Sequence, residues 1–125
     1  MRLPAHLLTT TVSIAALIAG LGMSTTPATA LADEAADIKA GKELAFNRKK
    51  GNCLACHQIE GGTLPGNIGP PLVAMKARFP DRAKLKAQIS DAREKNPNSF
   101  MPPFGPHEIL TESEIDKITT FIHSL

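Results

Sequence analysis

The chain of 125 residues contains no tryptophan, no tyrosine and only two cysteines. Its aromatic side chains are five phenylalanines, Phe46, Phe79, Phe100, Phe104 and Phe121. Small domains bury proportionally little surface, so a core with so few large side chains is thin. No stretch alternates apolar and polar residues with a period of two, which argues against a sheet, and no internal repeat is present. Charge of one sign is also lacking: 14 Lys and Arg stand against 12 Asp and Glu, for a formal net charge of +2. The basic residues are dispersed and no aromatics are interleaved with them, which excludes a nucleic-acid footprint. The tightest basic run, Arg48-Lys49-Lys50, reads as a solvated helix end, where cations suit the helix dipole. A docking role is its alternative.

Long apolar runs are missing too. The strongest, Val12 to Leu21, is about ten residues, half of the about 20 that a membrane-spanning helix needs. With Arg2 ahead of it and the small residues Ala28-Thr29-Ala30 behind it, it has the order of a secretory signal peptide. The expected organisation is a signal peptide over 1–30 and one domain over 31–125, delivered to the periplasm with no membrane span after cleavage. An uncleaved anchor is the alternative, opposed by the shortness of the run. Cleavage removes Arg2, leaving 13 basic and 12 acidic residues.

What is present is helical periodicity broken by turn chemistry. Ile38, Gly41, Leu44, Ala45 and Phe46 recur at helical spacing, which predicts a helix over 33–49 with Asp33 as its cap. Gly41 leaves room on that helix for the last helix to approach, with Phe121 against Leu44 or Ala45. Residues 58–71 are loop, rich in Gly and Pro. A short helix is expected at 72–78. Asp81 caps another, with Leu85, Ile89 and Ala92 on one face, closed by Asn96-Pro97 because the residue before proline is driven out of the α region. Residues 97–106 hold four prolines and a glycine, a stiff loop. Thr111-Glu112-Ser113-Glu114 is a capping box that opens a final helix to about 124. The reading is an all-α domain of about four helices with long loops. Loops of that length are unusual in a small domain unless they wrap something.

Both cysteines fall in Cys53-Leu54-Ala55-Cys56-His57. C-x-x-C-H is the attachment signature of c-type haem. Two thiols at this spacing add across the two porphyrin vinyl groups, and the adjacent histidine supplies the proximal iron ligand. One haem c is therefore the expected cofactor, bound covalently through Cys53 and Cys56 with His57 on the iron. A buried porphyrin would also make good the thin core. Three alternatives remain. A thioredoxin-like redox pair wants a βαβ context. A structural zinc wants two further ligands at finger spacing. A plain disulfide gives His57 no role.

An electron carrier fills both axial positions, and the candidates for the sixth are Met75, Met101, His107 and His123. Met101 stands in Ser99-Phe100-Met101-Pro102-Pro103-Phe104, where two prolines fix φ and lower the entropy of the free loop. Phe100 and Phe104 are expected over the haem edge. Thioether ligation raises the reduction potential. Met75 reads as core filler and His123 as a surface residue. His107 is the rival, and bis-histidine ligation would lower the potential.

The order of these features resembles the class I cytochromes c. In that family a Gly-Pro-x-Leu segment after the haem motif provides a proline carbonyl to the ligand histidine, and a methionine before the last helix is the distal ligand. Gly69-Pro70-Pro71-Leu72 matches the first, which implies Pro70 as the acceptor from His57. A simple rigid turn is the other reading of Pro70. Met101 matches the second. Within the class, residues 51–125 resemble SoxX, the small monohaem subunit of the SoxAX cytochromes of sulfur oxidation. The resemblance is carried by Gly51 to His57, Pro65-Gly66-Asn67-Ile68-Gly69-Pro70-Pro71-Leu72, Phe79-Pro80-Asp81-Arg82, Asn96-Pro97, Met101-Pro102-Pro103-Phe104-Gly105 and Ile109 to Leu125. Phe79 departs from the tyrosine expected before Pro-Asp in many relatives.

The resemblance implies a periplasmic heterodimer with a SoxA-like cytochrome. That pair is an L-cysteine S-thiosulfotransferase acting on a SoxYZ-like carrier, with the sulfur chemistry on SoxA. The present chain would have no catalytic residue of its own and would pass electrons to a soluble cytochrome c. A free diffusible cytochrome serving an oxidase or dehydrogenase is the second reading. A haem sensor with an open sixth site is the third.

Overall fold

In the computed structural model, which describes residues 28–125, helices follow the helical periodicity and stop where Asn, Asp and Pro interrupt it. The expected signal peptide lies outside the described residues except for Ala28–Ala30. Four α-helices are present, α1 (Ala28–Phe46), α2 (Met75–Arg78), α3 (Arg82–Ser90) and α4 (Glu112–His123), with 3-10 turns at Cys53–Ala55 and Ala92–Glu94 and no strand among the described residues. The fold is all-α, as the sequence implies.

The ends of α1 differ from expectation. It starts five residues before Asp33, because residues 28–36 include five alanines and no glycine or proline, and alanine has the highest helix propensity. It ends at Phe46 rather than residue 49. The Asn47 side chain takes the Lys49 amide at 2.8 Å and its carbonyl takes the amides of Lys50 and Asn52, each at 3.0 Å. This local pairing competes with continuation of the helix. The Arg48–Lys50 run therefore forms the turn after the helix.

In α3 the expected cap is present, with Asp81 accepting from the Ala83 amide at 2.9 Å. The helix stops at Ser90, short of Asn96-Pro97. Asp91 is extended and accepts from the Arg93 amide at 3.0 Å, which restarts the chain as a 3-10 turn. α4 carries both halves of its capping box: Glu114 N–H donates to Thr111 Oγ1 at 3.2 Å and Thr111 N–H to Glu114 Oε2 at 2.9 Å. Lys50 pairs with the same Glu114 at 2.7 Å and holds its carboxyl below the usual range.

The terminal helices cross at Gly41. A Cβ there would overlap the Lys117 carbonyl and lie 2.9 Å from Phe121 Cβ. The ring that meets Phe121 is Phe46, edge-on at 5.9 Å and 84°. Ile115, Ile118, Phe121 and Ile122 of α4 are buried with Ala45 of α1 and Leu85 and Ile89 of α3. Their i, i+3, i+4 spacing is what turns one face of each helix inward. The C-terminus closes the layer: the Leu125 carbonyl accepts from Met75 N–H, the start of α2, at 2.8 Å. His123, expected on the surface, is half-buried and reaches the Phe79 carbonyl with Nε2 at 3.0 Å. Beside that crossing α2, α3, α4 and the two long loops border a large cavity.

Candidate functional site

The Cys53–Ala55 turn starts from Asn52 in the left-handed region, φ +48°. Gly51 before it lies against α1, where a Cβ would meet the Leu44 carbonyl at 3.1 Å and Ala45 Cα at 3.2 Å. The turn closes with Cys56 N–H and His57 N–H both on the Cys53 carbonyl, at 3.2 and 2.9 Å. Both thiols are free. Burial pushes the Cys53 thiol up to about 11, as apolar surroundings do to a thiol.

Three backbone bonds fasten the following loop to the motif: Gly66 N–H to the Leu54 carbonyl at 2.8 Å, Gly69 N–H to Cys56 at 2.9 Å and Leu72 N–H to Gln58 at 2.9 Å. Gly69 passes flat against His57, and a Cβ there would lie 2.6 Å from Nδ1 and 2.9 Å from Nε2. His57 Nδ1 is 2.7 Å from the Pro70 carbonyl. Since a carbonyl only accepts, Nδ1 carries the proton and Nε2 is left as a free lone pair. Arg78 of α2 holds the next carbonyl, Pro71, through Nη1 at 2.9 Å.

Cys53, Cys56 and His57 open onto one cavity of about 790 Å³. Leu72, Leu85, Phe104, Ile118 and Ile122 give it apolar walls, and Met101 contributes to it from the proline loop. Every charged side chain on its wall is cationic: Arg48, Lys49, Lys50 and Arg78. A cavity with two thiols, an imidazole and a thioether on apolar walls, bordered only by cations, fits haem, a flat apolar macrocycle with two carboxylates. Among the described residues, no three His, Cys, Asp or Glu side chains group closely enough to hold a metal ion by themselves.

Of the other candidates, His107 is exposed and off the cavity wall. Met75 is buried on that wall, with its sulfur accepting from Arg78 Nη1 at 3.4 Å. Phe104 is 4% exposed, whereas Phe100 is 91% exposed at the cavity mouth, so the expected pair of covering rings is one ring and one projecting side chain. The Met101 loop is pinned by its own polar atoms: Met101 N–H donates to Ser99 Oγ at 3.2 Å, and Gly105 N–H reaches the Ser90 carbonyl at the end of α3 at 3.1 Å. Arg78 and Gln88 are wall residues that sequence reasoning missed. For Gln88 a signal existed. It lies three residues after Leu85 and four before Ala92, on the stripe already assigned to the core.

Fold and site together define a c-type cytochrome, a helical domain that holds haem covalently and transfers electrons through it. The cytochrome c family model matches residues 38–125, and the chain belongs to that family. It is also similar to an uncharacterized lipoprotein of Aquifex aeolicus (strain VF5), 37% identical over 76 residues, covering 60% of this chain and 37% of that protein. The chain thus spans little more than a third of that relative. Among the described residues, no helix is long and apolar enough to cross a membrane.

Proposed function

We propose that this cytochrome is the SoxX-like relay subunit of a periplasmic, thiosulfate-oxidising SoxAX pair, exported by the leader over residues 1–30. The observation that carries the reading is the meeting of its two most distinctive loops at one cavity. Gly66–Leu72 backs His57, and Met101–Gly105 closes the same chamber beside α3.

Haem, when attached, supplies an iron centre that takes up and gives back one electron. Cys53 and Cys56 hold it through two thioether bonds. His57, its ring oriented by the Pro70 carbonyl as ligand histidines commonly are, would present Nε2 to the iron. Met101 would supply the second protein ligand to the iron. The apolar walls exclude water, and a thioether ligand raises the potential. Once Cys53 and Cys56 hold haem and His57 and Met101 hold its iron, no cysteine thiol would remain as a nucleophile and no iron site would be open to substrate. It therefore relays electrons, from a SoxA-like partner acting on a SoxYZ-like carrier to a soluble cytochrome c.

The test is affinity purification of the exported protein from thiosulfate-grown cells. A larger cytochrome in stoichiometric yield is the expected result. Recovery of this cytochrome alone would overturn the heterodimer in favour of a free shuttle.

A further inference from the structure

We propose that the larger cytochrome docks on the loop over residues 61–74, through the aliphatic side chains of Leu64, Ile68 and Val73. This rests on the heterodimer reading and assigns a place to that partner. Residues 61–75 include no Asp, Glu, Lys or Arg, the longest such stretch in 31–125. Leu64 is 97% exposed, Ile68 71% and Val73 55%, and none of them packs into the core. Leu64 and Val73 also stand off the cavity wall, so haem does not cover them. Leu64 has φ +52°, in the left-handed region, where Asn and Asp are enriched and bulky residues are uncommon. A leucine there buries nothing and strains the backbone, which points to a surface that covers it.

The loop is rigid before anything docks. Its backbone bonds to Leu54, Cys56 and Gln58 and its prolines at 65, 70 and 71 leave little to order, which lowers the cost of association. Its borders are cationic. Lys42 Nζ lies 3.1 Å from where a Gly61 Cβ would stand, Lys76 follows the stretch, and Arg78 is bound to the Pro71 carbonyl at 2.9 Å. Against these three cations stands one acid, Glu60. That balance opposes a second copy of this chain and suits a partner with an apolar patch rimmed by carboxylates. The same loop carries the Pro70 carbonyl, 2.7 Å from His57 Nδ1. A protein that exchanges electrons with the haem gains a route of one hydrogen bond to its ligand, and a lipid surface gains nothing from it.

The experiment uses the exported, haem-loaded protein and the larger cytochrome recovered with it from thiosulfate-grown cells. Leu64→Asn is expected to keep the absorption spectrum and midpoint potential of the parent and to unfold no more easily, because asparagine tolerates the left-handed backbone. Its dissociation constant for the larger cytochrome should rise about tenfold or more. Val73→Asp, which sets a charge on the same face, should weaken binding likewise. Parent-like affinity in Leu64→Asn and Val73→Asp would overturn the docking face and leave the heterodimer standing. Absence of any larger cytochrome with the parent would overturn the heterodimer and this inference with it. Binding of the parent to vesicles of phosphatidylethanolamine and phosphatidylglycerol, lost in Leu64→Asn, would assign the face to lipid. A parent homodimer in sedimentation velocity, dissociated by Leu64→Asn, would assign it to a second copy. Either result would overturn the inference.

Discussion

Met101 is half-buried, held by a serine behind it and two prolines ahead. That arrangement lowers the entropy of the free loop, so little ordering would remain for the proposed ligation of iron by its sulfur. Met101→Ala is therefore expected to abolish the charge-transfer band in oxidised, haem-loaded protein and to lower the midpoint potential. Spectroscopy of the purified variant checks it, and a surviving band would exclude Met101. His57 was legible as a candidate ligand from the motif alone, and its contact with the Pro70 carbonyl from resemblance. Gly69 was not, because its role depends on the imidazole lying against it in three dimensions. Gln88 escaped for the opposite reason: periodicity assigns a residue to a face and is silent on what that face meets.

At the scale of elements, the break after α3 comes from Asp91. Its carboxylate takes Arg93 Nε and Nη2, both at 2.8 Å. The Arg93 hydrogen bond, helped at longer range by the charge of His107, brings its pKa from 3.8 down to about 2. A carboxyl depressed on folding stabilises the fold above its unfolded value, and the effect is lost as pH falls through the folded one. Asp91→Asn is thus expected to be less stable than the parent at neutral pH. The gap should close between pH 3.8 and about 2, followed by urea midpoints across a pH series. A gap independent of pH would rule out the ion pair as its source. The sequence placed all four helices, since each has periodicity or a cap of its own. It misplaced the ends of α1 and α3, because Asn47 and Asp91 compete for the backbone through bonds that a proline rule does not anticipate.

The molecule as a whole is closed by the crossing of its first and last helices. Gly41 lets α1 approach the backbone of α4 at Lys117, and backbone cannot rotate aside as a long side chain can. Gly41→Ala gains up to about 1 kcal/mol in helix propensity and loses about 1–3 kcal/mol to overpacking. Net destabilisation is expected, measured by urea unfolding of the haem-loaded protein, and a net gain would show that the helices separate freely.

What the sequence by itself determined was local: the haem signature at Cys53, Cys56 and His57, the caps at Asp81 and Thr111, and the helical class. Each depends on residues within a few positions of one another. The tertiary structure alone decided that His57 and Met101, 44 residues apart in sequence, share one chamber, that His107 stays outside it, and that its charged rim is entirely cationic. Those facts follow from the packing of α2, α3, α4 and the two long loops around a space too large for side chains to fill, and no local pattern records such a space.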